Sequence, residues 1–490
     1  MHGSLNCISV AFWCVAVVAF SVPNLSGQAT GSSSAAPTVS LPGSQSPFLG
    51  SAPPEKATNQ VLQIDFTMAI DLGLQYNLGL LLSTDQTETA RGQRWHELSN
   101  LLPNVGADAL ENVQTLSLTA FGFTKIASDF GSPGTTTKFP AVTPAFNYFD
   151  LRASISQSLF NFKYLEQARA AAENVKAAEF NYKDARELVV LAVGDVYLQA
   201  ISDAARVETA EAQLTTAQTL YTRAVDQQNA GVTPNIDTLR AHVELQTRQQ
   251  QLIVARNELA KQRLTVARVI GLAPGQEFVL TEKAPYQELT PLPLETYLQR
   301  AYTTRADYQA AMAQVRAAEF SARAAAAGRY PSVDLSANGG EIGTNPAQAN
   351  PTWQVVGAIN IPIFPGERIH SDEIEANAQL KQARQQLGNL RGQIDYEVRS
   401  SLLDLQAAAD QVQVAKSNVD LAEQTLTQAQ DRFSAGVTDN LEVVQAQESV
   451  ASAHDSYIES LYAHNLAKVE LARSIGDAEQ GVKRYLKGMH

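Results

Sequence analysis

The chain has 490 residues, 44% of them hydrophobic, and a formal net charge of −13. Phosphate recognition wants clustered Lys and Arg. The 37 basic residues are scattered through the chain, which argues against a nucleic-acid partner.

Residues 1–29 read as a signal peptide. The apolar run at 8–20 is too short for a membrane-spanning helix, and Gly27 and Ala29 are small residues suited to cleavage. The segment ahead of the run lacks Lys and Arg, and both cysteines, Cys7 and Cys14, lie within residues 1–29. A processed chain would therefore have no cysteine, which suits an oxidising compartment without disulfides. Residues 30–58, rich in Ser, Pro and Gly, read as a disordered leader. Beyond them no stretch approaches eighteen uninterrupted apolar residues, so a membrane crossing would have to use strands.

The first structural repeat is expected at 59–272. A helical pattern covers 66–100 and ends at Pro103. Strands are expected at about 103–124 and 147–160, joined by a loop of Gly, Pro and Thr. In the second strand Phe149, Leu151, Ala153 and Ile155 alternate with Asp150, Arg152, Ser154 and Ser156, the period-two pattern of a two-faced strand. Eight of the seventeen phenylalanines lie between Phe121 and Phe162. Aromatics near strand ends suit the interfacial girdles of a membrane barrel.

A proline-free helix is predicted from 164 to 229, about 100 Å long at about 1.5 Å per residue. It ends in Ala230, Gly231, Val232 and Thr233, where Gly can take positive φ cheaply and Asn235 can cap the returning helix. The returning helix ends at VIGL, 269–272. Residues 273–293 carry four prolines and read as a linker.

The second repeat, 294–477, follows the same plan. It has a helix over 294–328, strands at about 330–342 and 352–364, a long helix, and a turn at Ala435, Gly436, Val437 and Thr438 with Asn440 as a candidate cap. The turns align without a gap at a spacing of 205 residues, so the chain reads as a duplicated helical hairpin. Apolar positions recur every seven residues along each arm, as a coiled-coil seam requires: Val207, Leu214 and Tyr221 outgoing, then Leu245, Leu252, Leu259 and Val266 returning. The second copy has Val412, Val419, Leu426 and Phe433, then Val450, Tyr457 and Leu471, with His464 interrupting the row. Residues 478–490 read as a tail.

Two strand pairs cannot close a barrel alone, and an open sheet with an apolar face would aggregate. A helix must cover it, or several chains must pool their strands. The seven histidines form no metal-spaced pair, and neither a phosphate-cradling loop nor a GxSxG nucleophile occurs. The sequence predicts a non-enzyme without cofactor or metal.

Together the paired AGVT turns, the SQSLF and PIFPG junctions, the LPNVGADA and YPSVDLSA strand starts and the VIG and SIG helix ends resemble the TolC-like outer-membrane efflux protein family over about residues 60–477. The resemblance implies a mostly α fold: hairpins forming a periplasmic α-barrel, and four strands per chain in a homotrimeric twelve-stranded outer-membrane β-barrel. It implies the exit duct of a tripartite efflux or type I secretion system. The partners would be a periplasmic adaptor, an inner-membrane pump of RND or ABC type, and outer-membrane lipid. A non-transporting coiled-coil scaffold is the alternative. By the same resemblance, residues 230–233 and 435–438 are adaptor-docking tips, Asp237 and Glu442 are lumen acids, and Phe149, Leu151, Ala153 and Ile155 face lipid. Some members carry a second acid where this chain has Arg240 and Gln445. The gate arginine and tyrosine of the best-known member correspond to Thr438 and Phe433.

Overall fold

The computed structural model describes residues 46–53, 56–57, 60–121, 140–232, 234–283, 286–289, 292–438 and 440–485, all within the compact unit Gln45–His490. The signal segment and most of the leader lie outside the described residues. The first repeat runs β1 (Leu62–Ile64), α1 (Phe66–Tyr76), α2 (Leu78–Ser99), β2 (Asn104–Gln114), β3 (Phe146–Phe160), α3 (Phe162–Asn229) and α4 (Asn235–Ile270). The second runs β4 (Phe278–Leu280), α5 (Leu294–Thr304), α6 (Ala306–Ala327), β5 (Ser332–Gly343), β6 (Asn350–Asn360), α7 (Arg368–Ser434) and α8 (Asn440–Ser474), followed by α9 (Ala478–Tyr485).

Each incoming helix, expected to be continuous, is broken after its eleventh residue. Asn77 breaks the first: its Oδ1 accepts from the Gly79 amide (2.9 Å) and its Nδ2 donates to the Phe48 carbonyl (2.7 Å). Arg305 breaks the second, with its guanidinium on Asp307, Glu397 and the Ser474 carbonyl. The reason is the arrival of a returning arm. Gly271, at φ +76, ends α4 against Tyr76, and Gly476, at φ +70, follows α8 against Thr304 and Arg305. Each arm is thereby continued, nearly end to end, by the short helix of its own repeat.

Two further expectations are corrected. Pro47–Leu49, inside the supposed leader, form a turn because Phe48 and Leu49 pack on the core cluster. Ala478–Tyr485, read as tail, form α9, with Ala478 and Val482 fully buried in that cluster.

The long helices α3 and α7, 68 and 67 residues, are flanked by α4 and α8 towards the tips and by α2 and α6 towards the strands. The buried row of α3 is Ala210, Ala217 and Ala224, three residues on from Val207, Leu214 and Tyr221, which are half-buried. Alanine there lets the backbones approach closely, and the larger side chains flank the contact. On α4, Leu245, Leu252 and Val266 are buried and Leu259 half-buried. On α7, Val412 and Val419 are buried and Leu426 and Phe433 half-buried; on α8, Val450 and Tyr457 are half-buried and Leu471 buried. His464, which breaks the apolar row, is fully buried. One window of α3 is long and apolar enough to cross a membrane, yet 67% of it is buried within the protein, as a core helix requires.

The strands form one antiparallel sheet, ordered β2-β3-β5-β6, and β1 pairs in parallel with β4. The first strand is shorter than expected. After Gln114 only an isolated bridge, Ser117 to Val142, continues the pairing, and the loop at 122–139 lies outside the described residues. β6 ends at Asn360, short of the expected 364. Neither β2 nor β6 has a second strand neighbour among the described residues, so the sheet is open.

Candidate functional site

Three features can carry function: the hairpin tips, the carboxylates beside them, and the two faces of the sheet. The tips close identically. The amides of Gly231 and Val232 donate to the carbonyls of Gln228 and Gln227, both at 2.9 Å, and those of Gly436 and Val437 to Phe433 and Arg432, both at 3.0 Å. This pair of bonds ends a helix in a left-handed residue, and Gly231 and Gly436 supply it at φ +72 and +71. Ala230, Gly231, Val232, Ala435, Gly436 and Val437 are exposed and Thr438 is half-buried, whereas Thr233 lies outside the described residues. Val232 and Val437 stand about 70% exposed (71% and 69%), with Ile236, Leu239 and Leu441 also exposed just past the turns.

The expected caps are not made. Pro234 precedes α4, and Asn235 Oδ1 instead accepts from Gln228 Nε2 (3.1 Å). Asn440 is fully buried, and its Nδ2 donates to the Asp237 carbonyl at 3.2 Å, tying the second hairpin to the first. Around it Leu220, Ala429, Val443 and Ala446 form an apolar cluster, with Leu426 and Phe433 at its margin.

The structure places both predicted acids beside arginines. Asp237 is buried within the subunit and pairs with Arg240 at 3.5 Å. Glu442 is part-exposed and pairs with Arg432, also at 3.5 Å. The i,i+3 spacing of Asp237 and Arg240 makes the first pair visible in sequence; the second crosses the turn and needed the fold.

The sheet sorts its side chains by face. Phe149, Leu151, Ala153 and Ile155 share one face, and the register adds Val105, Ala107 and Ala109 from β2, Leu335 and Ala337 from β5, and Trp353, Val355 and Ile359 from β6. The opposite face carries Asp108, Asp150, Arg152, Ser154, Asp334 and Asn338. There Arg152 donates to Asp150 (3.2 Å) and Asn338 (3.0 Å), linking β3 to β5. Glu111 and Glu341 are the acids on the apolar face, on the rungs of Phe149 and Leu151 at its far end. Strands of 11 to 15 residues meet or exceed the roughly 9 to 11 needed to span a bilayer when tilted. A sheet wet on one side and oily on the other matches the wall of a water-filled membrane pore.

Sequence reading noted His464 only as an interruption. In the structure it is fully buried, neither ring nitrogen has a hydrogen-bond partner among the described residues, and its ring lies 5.3 Å from that of Tyr286. Burial, and then the charge of Lys468, pull its pKa down to about 4. Lys468, also buried, donates to the Gln287 carbonyl of the linker, and burial lowers its pKa to about 8.

The profile of the outer membrane efflux protein family matches residues 85–272 and 297–477. The pyoverdine export outer membrane protein OpmQ of Pseudomonas putida is 22% identical over 336 residues, covering 68% of this chain and 71% of its own length. The outer membrane protein OprJ of Pseudomonas aeruginosa is 23% identical over 440 residues, 85% of each chain. Among solved structures, the Campylobacter jejuni outer membrane channel CmeC superposes with a TM-score of 0.73 at 17% identity, over 93% of this chain and 98% of that one. VceC of Vibrio cholerae gives 0.69 at 20% identity, over 84% and 96%.

Proposed function

The chain belongs to the outer membrane efflux protein family, and from that premise we propose that three copies close their sheets into one twelve-stranded barrel above a tunnel of helices. It is an outer-membrane efflux channel protein. In this reading it is a passive duct, energised by an inner-membrane pump of RND or ABC type through a periplasmic adaptor, for tripartite efflux or type I secretion. The observation that supports it best is the open sheet with one polar and one apolar face, whose two edges, β2 and β6, are unpaired among the described residues and are both 11 residues long. Closure by copies of the same chain pairs every backbone group that lipid could not satisfy.

Phe149, Leu151, Ala153 and Ile155 then face lipid, and Asp150 and Arg152 face water. Residues 230–233 and 435–438 would meet the adaptor. Asp237 and Glu442 would each recur as a ring of three carboxylates near the inner mouth, where such rings favour cations. Because each acid already holds an arginine, opening must loosen those pairs before the rings act at full strength.

Planar-bilayer conductance tests the reading. The duct gives discrete pores, with cation preference reduced in the Asp237→Asn, Glu442→Gln double variant. A coiled-coil scaffold gives no conductance, and that result would end the proposal.

A further inference from the structure

The two strand-to-helix junctions are not alike. In the first repeat one residue, Asn161, separates β3 from α3 and caps the helix by accepting from the Tyr164 amide (3.3 Å). In the second, residues 361–367 intervene between β6 and α7. They hold two prolines and end in two consecutive left-handed residues, Gly366 (φ +65) and Glu367 (φ +64); Glu367 is the one non-glycine residue at positive φ among those described. A left-handed non-glycine residue persists where its surroundings over-determine it. The turn leaves Ile363 92% and Phe364 78% exposed, an arrangement with no packing reason among the described residues of the subunit.

The first repeat supplies the reason by analogy. SLF at 158–160 aligns with PIF at 362–364, so Phe160 corresponds to Phe364. Phe160 packs edge-on against Phe162 (centroids 4.6 Å), which in turn packs on Tyr330 (5.5 Å). Tyr330 precedes β5, the strand beside β3. The exit of one repeat thus rests on the start of the next. Tyr330-Pro331 before β5 corresponds to Leu102-Pro103 before β2, and Leu102 is 50% exposed. Within one subunit these surfaces cannot meet: β2 and β6 are the two edges of the sheet, three strand spacings or about 14 Å apart.

We propose that Ile363 and Phe364 of one subunit pack over Leu102 of the next, the intermolecular counterpart of the stack formed by Phe160, Phe162 and Tyr330. The inference rests on the head-to-tail closure proposed above and names the side chains that seal it at the periplasmic edge of the sheet. Antiparallel pairing of β6 with a neighbour's β2 carries the residues after Asn360 past those before Asn104, which sets the two patches at one level. The extra residues in the second repeat then have a purpose, because only that repeat must reach across a subunit boundary.

Disulfide trapping tests it. In full-length chains lacking Cys7 and Cys14, Phe364→Cys is combined with Leu102→Cys, assembled in outer membranes and oxidised. The expected result is conversion of most monomer-sized material to dimer- and trimer-sized bands on a non-reducing gel, reversed by reductant and absent from either single variant. Both positions are exposed, so folding should survive, and Phe162→Cys with Tyr330→Cys provides the intramolecular control. Monomer-sized bands from pore-forming protein whose control pair does oxidise would overturn the inference while leaving the duct intact. Seating of Phe364 in the lipid leaflet gives that outcome. Preparations with neither pores nor oligomers would instead sink the reading on which it rests.

Discussion

The roots of the two hairpins, where each returning arm meets the break in its incoming helix, were built on one plan and differ in how they treat buried polarity. The first root meets Asn77, neutral, with its side chain bonded to Gly79 and Phe48. Its arm α4 buries one guanidinium, Arg248, held by Glu244 (2.6 Å), Gln251 (2.9 Å) and Gln213 (3.3 Å). The second root meets the charged Arg305. Its arm carries His464 where the first has Leu259, and Lys468 where the first has Arg263. A satisfied buried network rigidifies a core, whereas orphaned polar atoms cost desolvation without return. The orphaned imidazole of His464 makes the second arm the softer of the two, although the first arm also leaves Arg263 Nε without a partner among the described residues.

Removing the charged clamp should widen this contrast most. Although burial pushes the Asp307 carboxyl up, the hydrogen bonds and charge of Arg305 hold it below its usual value. Arg305→Ala strands Asp307 and part of Glu397, and loss of one partner of a buried pair costs about 3–5 kcal/mol. Asn77→Ala loses a cap and should cost about 1–2 kcal/mol. Denaturant midpoints of the two purified variants check the order, and equal losses would show that the charge is incidental.

Root and tip glycines come next. All four sit at positive φ, but a Cβ at Gly271 would lie 2.3 Å from Tyr76 Cβ and one at Gly476 2.8 Å from the Arg305 backbone, while Gly231 and Gly436 have nothing within 4 Å. Alanine at either root should cost about 2–4 kcal/mol, backbone strain and overpacking together, and at either tip about 1 kcal/mol. Thermal midpoints that fail to separate roots from tips would count against the end-to-end docking of the arms.

The smallest effect is a pH profile. Unfolded, His464 has its ordinary pKa of 6.5; folded, it titrates at about 4. Between those values the unfolded chain binds the extra proton, so this residue's contribution falls as pH drops from about 6.5 to about 4. His464→Leu, which copies the first repeat, should remove that loss and add about 1–2 kcal/mol near pH 5 by eliminating an unsatisfied buried group. Unfolding curves at pH 5 and pH 7 measure it, and an unchanged difference between the two pH values would exclude His464 as the source.

Much of this was readable from local rules. The glycine turns at 231 and 436 show in sequence because positive φ is a property of one residue and its neighbours. The split of β3 into Phe149, Leu151, Ala153 and Ile155 against Asp150, Arg152 and Ser154 shows because side chains alternate along any strand. The breaks at Asn77 and Arg305 do not show, because helix propensity there is unremarkable and the interruption comes from an arm arriving some 170 to 190 residues later in the chain.

By itself, then, the sequence determined the duplication, the helical hairpins with their αL tips, and the two-faced strands, since all of these follow from spacing along the chain. Tertiary structure alone decided that alanines form the centre of the α3 contact, that Glu442 is held by Arg432 across the turn, that Asn440 ties one hairpin to the other, and that Phe364 is left uncovered. Each of those depends on which distant side chains share a volume, and close packing, unlike periodicity, leaves no local signature in the order of residues.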